Sequence, residues 1–128
     1  VGTSDAEQVR RDELEPIDLA RRIVDVIVDK KGEDIILLDL RGLTTLTDYF
    51  IICSGTTERQ LDALLAAVRE MTKKSLGILP LHIEGDPSSG WILMDYGSVV
   101  VHLFAPELRV YYDLEGLWRD GHVVVRIQ

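Results

Sequence analysis

Hydrophobic positions along this chain alternate between a helical and an extended period. Ile17, Ala20, Val24, Ile27 and Val28 recur at three-to-four spacing, which lines them along one stripe of a helix. Pro16 suits its first turn, where a missing N–H costs nothing, and Gly32 is a natural stop. Asp34 to Leu40 is a continuous apolar run, as expected for a strand covered on both faces, and Asp48 to Cys53 is a second one after an Arg41-Gly42 turn. Thr57 with Gln60 fits a capping box. It opens a helix that presents Leu61, Leu64, Leu65, Val68 and Met71 on one face and ends near Leu76-Gly77. Pro80 to Ile83 reads as a short strand near an edge because of its proline, and residues 85–90 read as a loop. Two apolar runs, Trp91 to Tyr96 and Val99 to Phe104, flank Gly97-Ser98, the pattern of an antiparallel hairpin with a primed or bulged turn. Pro106 then starts an aromatic helical segment that ends at Trp118, and Asp120-Gly121 turns into a last strand, Val123 to Ile127.

This order predicts an α/β or α+β domain, a mixed sheet with helices covering at least one face. At 128 residues the chain is one domain. Residues 16–128 form that domain, and residues 1–15 form a flexible acidic tail carrying Asp5, Glu7, Asp12, Glu13 and Glu15 against Arg10 and Arg11. The first residue is valine and no basic, apolar leader follows it, which predicts a processed or engineered start and no signal or transit peptide. No run approaches the ~20 apolar residues of a membrane span. Cys53 stands alone, so it forms no intramolecular disulfide and fits a reducing, cytoplasmic setting as a core thiol.

Charge narrows the partners. The formal net charge is −8, with no basic stripe; Lys30-Lys31 and Lys73-Lys74 are isolated pairs at helix ends. Direct nucleic-acid binding depends on neutralising phosphates, so a macromolecular partner should be a basic protein rather than bare RNA.

Candidate chemistry is sparse. Ser54-Gly55-Thr56 before a helix resembles a phosphate-holding turn, whose free N–H groups suit an anion, but no Asp-x-Asp follows it. Asp39 and Asp95 each stand alone between apolar neighbours. His82, His102 and His122 lack metal-ligand spacing; with Asp48 or Asp95 they make at most a loose His/carboxylate set, and core or rim histidines are the plainer reading. No nucleophile elbow, P-loop or Rossmann fingerprint is present. The expectation is a protein with no cofactor, no metal and no catalysis; a nucleotide- or phosphate-handling enzyme acting at Gly55 is the alternative.

Both tryptophans and three of the four tyrosines fall between Trp91 and Trp118. Alternation sends Trp91, Leu93 and Asp95 to one side of their strand and Ile92, Met94 and Tyr96 to the other. One side faces the helices, and an aromatic side left in solvent marks an interaction surface. Trp118 fits core packing at its helix end, Trp91 fits core and docking equally, and Arg109 and Tyr112 share a helical face.

These residues carry a resemblance. Trp-x-x-x-Asp-Tyr (Trp91, Asp95, Tyr96), then Val-x-Val-His (Val99, Val101, His102), then Arg-x-x-Tyr-x-Leu-x-x-Leu-Trp (Arg109, Tyr112, Leu114, Leu117, Trp118) is similar to the ribosomal silencing factor (Iojap-like) family, as is Thr47 to Thr56. The likeness runs from about Gly32 to Trp118 and takes in the first helix more loosely. It implies a nucleotidyltransferase-like mixed sheet without the catalytic carboxylates. It further implies binding to large-subunit ribosomal protein fourteen, a block on subunit joining that represses translation, and homodimers in some members. Organelle members act in large-subunit assembly. Carried onto this chain, Trp91, Tyr96 and Tyr112 become apolar anchors, Asp95 and Arg109 polar fixings, and Glu115 added charge complementarity.

Overall fold

The computed structural model describes residues 14–128. The predicted acidic tail therefore lies outside the described residues, except for Leu14 and Glu15. Helix α1 (Pro16–Asp29) leads into strand β1 (Glu33–Asp39), then β2 (Tyr49–Ser54) and the long helix α2 (Glu58–Leu76). After β3 (His82–Asp86) comes a 3-10 turn (Pro87–Ser89), then the hairpin β4 (Trp91–Asp95) and β5 (Val99–Phe104). The chain ends with two short helices, α3 (Pro106–Tyr112) and α4 (Leu114–Leu117), and β6 (His122–Ile127).

Among the described residues, the strands form one mixed six-stranded sheet in the order β3-β4-β5-β2-β1-β6. Only β2 and β5 run parallel; every other pair is antiparallel. The predicted fold class and the hairpin are both present. Gly97 takes a φ of +88°, which favours glycine, and Tyr96 N–H donates to the Val99 carbonyl at 2.9 Å across the bend between the two strands. β3 is an edge strand as expected, but it begins two residues after Pro80 and extends to Asp86, through part of the predicted loop. The aromatic segment is two helices rather than one. Asp113 adopts a left-handed φ of +46°, which ends α3, while its carboxylate caps α4 by accepting from Gly116 N–H at 3.1 Å.

The sheet has two unequal faces. On one, α1 and α2 lay their apolar stripes over Ile35, Leu37, Ile51, Cys53, Ile92, Met94, Val101 and Leu103, all essentially inaccessible to solvent. Burial pushes the Cys53 thiol up to about 12, so it stays protonated and packs as a small apolar group. The other face buries a smaller cluster, Ile36, Leu38, Leu40, Ile52 and Phe104, beneath Leu108, Leu114 and Trp118 of the α3–α4 segment. That cover is partial. Phe50, Leu93 and Val100 on this side are only half-buried.

Candidate docking face

The half-covered face is built by strand alternation. Trp91, Leu93 and Asp95 of β4 point to it, and the register sets Leu93 beside His102 and Trp91 beside Phe104 on β5. Gly85, opposite Ile92 on β3, lets the chain approach closely there: at a φ of +76°, a Cβ would collide with the Trp91 carbonyl oxygen. Aromatic rings then run across the sheet. Trp91 and Tyr112 lie with centroids 6.3 Å apart, and Tyr112 stacks on Phe104 at 6.1 Å. Phe104 stacks on His102 at 5.9 Å, His102 meets the edge of Phe50 at 4.8 Å, and Phe50 meets Trp118 at 5.9 Å. Tyr112 is exposed, and beside it Val110, Tyr111 and Leu117 project into solvent, each 70% accessible or more. A ring ladder that is buried at its centre and open at Trp91 and Tyr112 has the composition of an interface core.

Charge around the face is acidic. Strands β3, β4 and β5 contain no lysine or arginine. Glu84 stands opposite Leu93, and Asp95 opposite His82, whose Nδ1 lies 3.7 Å from the Asp95 carboxylate. Asp95 also accepts from Gly97 N–H at 2.7 Å, so part of its capacity is spent holding the turn.

The candidate residues divide by placement. Trp91, Asp95 and Tyr112 reach the face. Tyr96 does not: it lies on the helix-covered side, and its hydroxyl shares a 2.9 Å hydrogen bond with Thr72 of α2. Burial raises its phenol pKa, with Thr72 opposing the shift. This corrects the expectation of an exposed anchor at Tyr96, for the alternation that presents Trp91 must turn Tyr96 inward. Arg109 and Glu115 are paired with each other rather than free, Nε to Oε1 at 3.0 Å and Nη2 to Oε2 at 3.1 Å. Val110, Tyr111 and Leu117 were not among the candidates. The apolar run Val110-Tyr111-Tyr112 on a helix too short to bury it was the available signal.

The loop at Gly55 is closed on itself. Gly55 N–H donates to the Phe104 carbonyl at 2.8 Å, Thr56 N–H to Gln60 Oε1 at 2.8 Å, and Gln60 N–H to Thr57 Oγ1 at 3.0 Å. Gln60 thus reaches Thr56 instead of returning to the Thr57 N–H of an ideal capping box. Asp39 and Asp95 are kept apart by β2 and β5, and the Asp39 carboxyl is held low by its hydrogen bonds to Arg41. Among the described residues, no cluster of three or more His, Cys, Asp or Glu could hold a metal ion, and no helix is long and apolar enough to cross a membrane.

Residues 13–128 match the family described as ribosomal silencing factor during starvation. The chain belongs to that family. It is 40% identical over 93 residues to ribosomal silencing factor RsfS of Bacillus subtilis, covering 73% of this chain and 78% of that one. The RsfS of Halalkalibacterium halodurans is 36% identical over 107 residues, 84% of this chain and 91% of its own. A mouse protein named for mitochondrial assembly of the ribosomal large subunit is 36% identical over 98 residues, 43% of its length. Among solved structures, a Chromobacterium violaceum protein superposes with a TM-score of 0.78 at 38% identity, covering 82% of this chain and 87% of that one. In this silencing-factor chain the string from Trp91 to Trp118 falls on both sides of the sheet. Trp91, Tyr112 and Trp118 line the half-open face, while Tyr96 belongs to the core.

Proposed function

We propose that this protein represses translation by docking its half-open aromatic face on large-subunit ribosomal protein fourteen, where it obstructs joining of the small subunit. The observation that carries the reading is the Trp91–Tyr112 pair, open to solvent on a sheet face where strands β3, β4 and β5 carry no lysine or arginine. A flat apolar centre ringed by acids suits a basic protein surface, and it does not suit a phosphate backbone. The names of the relatives support the ribosome as the place of action, and the mouse relative's name supports the large subunit.

The mechanism needs no catalysis. A bound factor excludes a competitor for the same surface, and the effect scales with occupancy. Trp91 and Tyr112 supply the anchors, with Leu93 and Val100 widening the apolar floor and Asp95 and Glu84 facing the partner's cations. Tyr96, Arg109 and Glu115 contribute through the fold beneath. In this reading the protein works in the cytoplasm, where free subunits meet. A homodimer using the same face would hide it until a ribosome competes.

Co-sedimentation with separated subunits tests the reading: pelleting with large subunits and not with small ones is expected, and equal pelleting with both overturns it. Added protein should also lower subunit association measured by light scattering. Undiminished joining at saturating occupancy would reject the blocking mechanism.

A further inference from the structure

Helices α3 and α4 have seven and four residues, and neither contains a fully buried side chain. Helices this short do not hold their shape alone in water. They nevertheless carry Tyr112, and the docking face has its form only while Tyr112 stands against Trp91 and Phe104. One side chain of α3 reaches both α4 and two strands of the sheet. Arg109, 11% exposed, forks onto both carboxylate oxygens of Glu115 in α4. Its Nη1 donates to Ser54 Oγ at 2.9 Å, at the end of β2, and also to the main-chain oxygen of Asp34.

The Asp34 carbonyl is aimed there by an irregularity in β1. Pairing with β2 slips between Glu33 and Ile36, and Asp34 takes a φ of +48°, a left-handed conformation that aspartate tolerates better than most side chains. Four of the five guanidinium N–H donors are thereby spent inside the chain. Little remains for a partner, and turning Arg109 outward would take this partner from the buried Ser54 hydroxyl and the partly buried Glu115 carboxylate. Tyr112 follows Arg109 by one helical turn, so slack at Arg109 passes directly to the ring.

We propose that Arg109 is a positioning residue of the docking face: its guanidinium pins α3 and α4 to the ends of β1 and β2, and so sets Tyr112 against Trp91 without touching the partner. The inference rests on the reading of that face as the docking surface. A lysine cannot replace the fork, because one ammonium does not bridge a carboxylate, a hydroxyl and a carbonyl held in different directions.

The test uses the full chain with Arg109→Gln, Arg109→Lys, Tyr112→Ala and the Arg109→Gln/Tyr112→Ala pair. Hydrogen exchange is read on the free protein and affinity on isolated large subunits. In Arg109→Gln, amides of residues 106–117 should exchange about tenfold faster or more, while those of β2 and β5 keep their protection. Affinity should fall about tenfold or more in both the Gln and the Lys variants. On the Tyr112→Ala background, Arg109→Gln should cost less than about a further threefold, because the ring through which it acts is gone. Unchanged exchange over 106–117 removes the pin, whatever the face binds. Losses that multiply in the double variant place Arg109 in the interface, and full affinity in Arg109→Lys overturns the fork. Should Trp91→Ala bind normally, the docking reading falls, and the exchange measurement still decides the pin.

Discussion

Trp91 of β4 and Tyr112 of α3 face each other across the edge of the aromatic ladder, ring centroids 6.3 Å apart and planes inclined by 36°. Trp91 is half-buried and Tyr112 half-exposed, so each keeps one side on the protein and offers the other to solvent. Residues in that position separate folding from binding, because truncation removes a contact surface while leaving most of the core in place.

Trp91→Ala is expected to weaken large-subunit binding by ~2–4 kcal/mol, the range of an interface anchor. Its cost in folding stability should stay below the ~3–5 kcal/mol of a fully buried tryptophan. Tyr112→Ala should follow the same pattern with a smaller loss on both counts. Affinity and thermal melting on the same samples check this, with Cys53→Ala as the control that lowers stability alone. A collapsed melt, with full affinity in the folded fraction, would return Trp91 to the core.

Tyr96→Phe tests the opposite placement. The change removes the 2.9 Å hydrogen bond between the Tyr96 hydroxyl and Thr72 and should cost about 1 kcal/mol of stability. The cost is limited because Thr72 Oγ1 keeps the Arg69 carbonyl at 3.2 Å. Ribosome affinity should be untouched. A drop in affinity with an unchanged melt would mean that the ring leaves the core to reach the partner.

His102 makes stability depend on pH. It is 5% exposed, and neither ring nitrogen has a hydrogen-bond partner among the described residues. Burial pushes its pKa down from 6.5 to about 4. The folded state therefore refuses a proton that the unfolded chain accepts. Stability is whole above about pH 6.5, declines as pH falls toward 4 and then levels, a total of roughly 3 kcal/mol. Chemical denaturation at several pH values should show this decline in the wild-type protein and a shallower one in His102→Leu. Parallel curves for the two proteins between those values would contradict it.

Electrostatic steering is the last expectation. With a net charge of −8 and an acidic rim on the face, association with a basic partner should slow as salt rises, while dissociation changes less. Stopped-flow binding across a salt series measures both. An association rate indifferent to salt would mean that the acids point away from the partner.

Periodicity made much of this molecule legible in the chain. The apolar stripes of α1 and α2, the Gly97-Ser98 turn, the alternation of β4 and the single buried thiol all follow from local rules that three or four neighbouring residues decide. Alternation also settles that Trp91, Leu93 and Asp95 share one side and Ile92, Met94 and Tyr96 the other. It does not settle which side the long helices cover, since that depends on α1 and α2 packing against strands far along the chain. Once they cover the Ile92 side, Tyr96 is core and Trp91 is surface. Arg109 and Glu115 read as exposed fixings because charged residues on a short amphipathic helix usually are. Arg109 instead turns inward to the Asp34 carbonyl, 75 residues away in sequence and set beside it by an extra residue in β1, and Glu115 pairs with Arg109. Side-chain period is a property of the local backbone, whereas burial and hydrogen-bond partnership belong to distant segments brought together, and only the assembled sheet decides them.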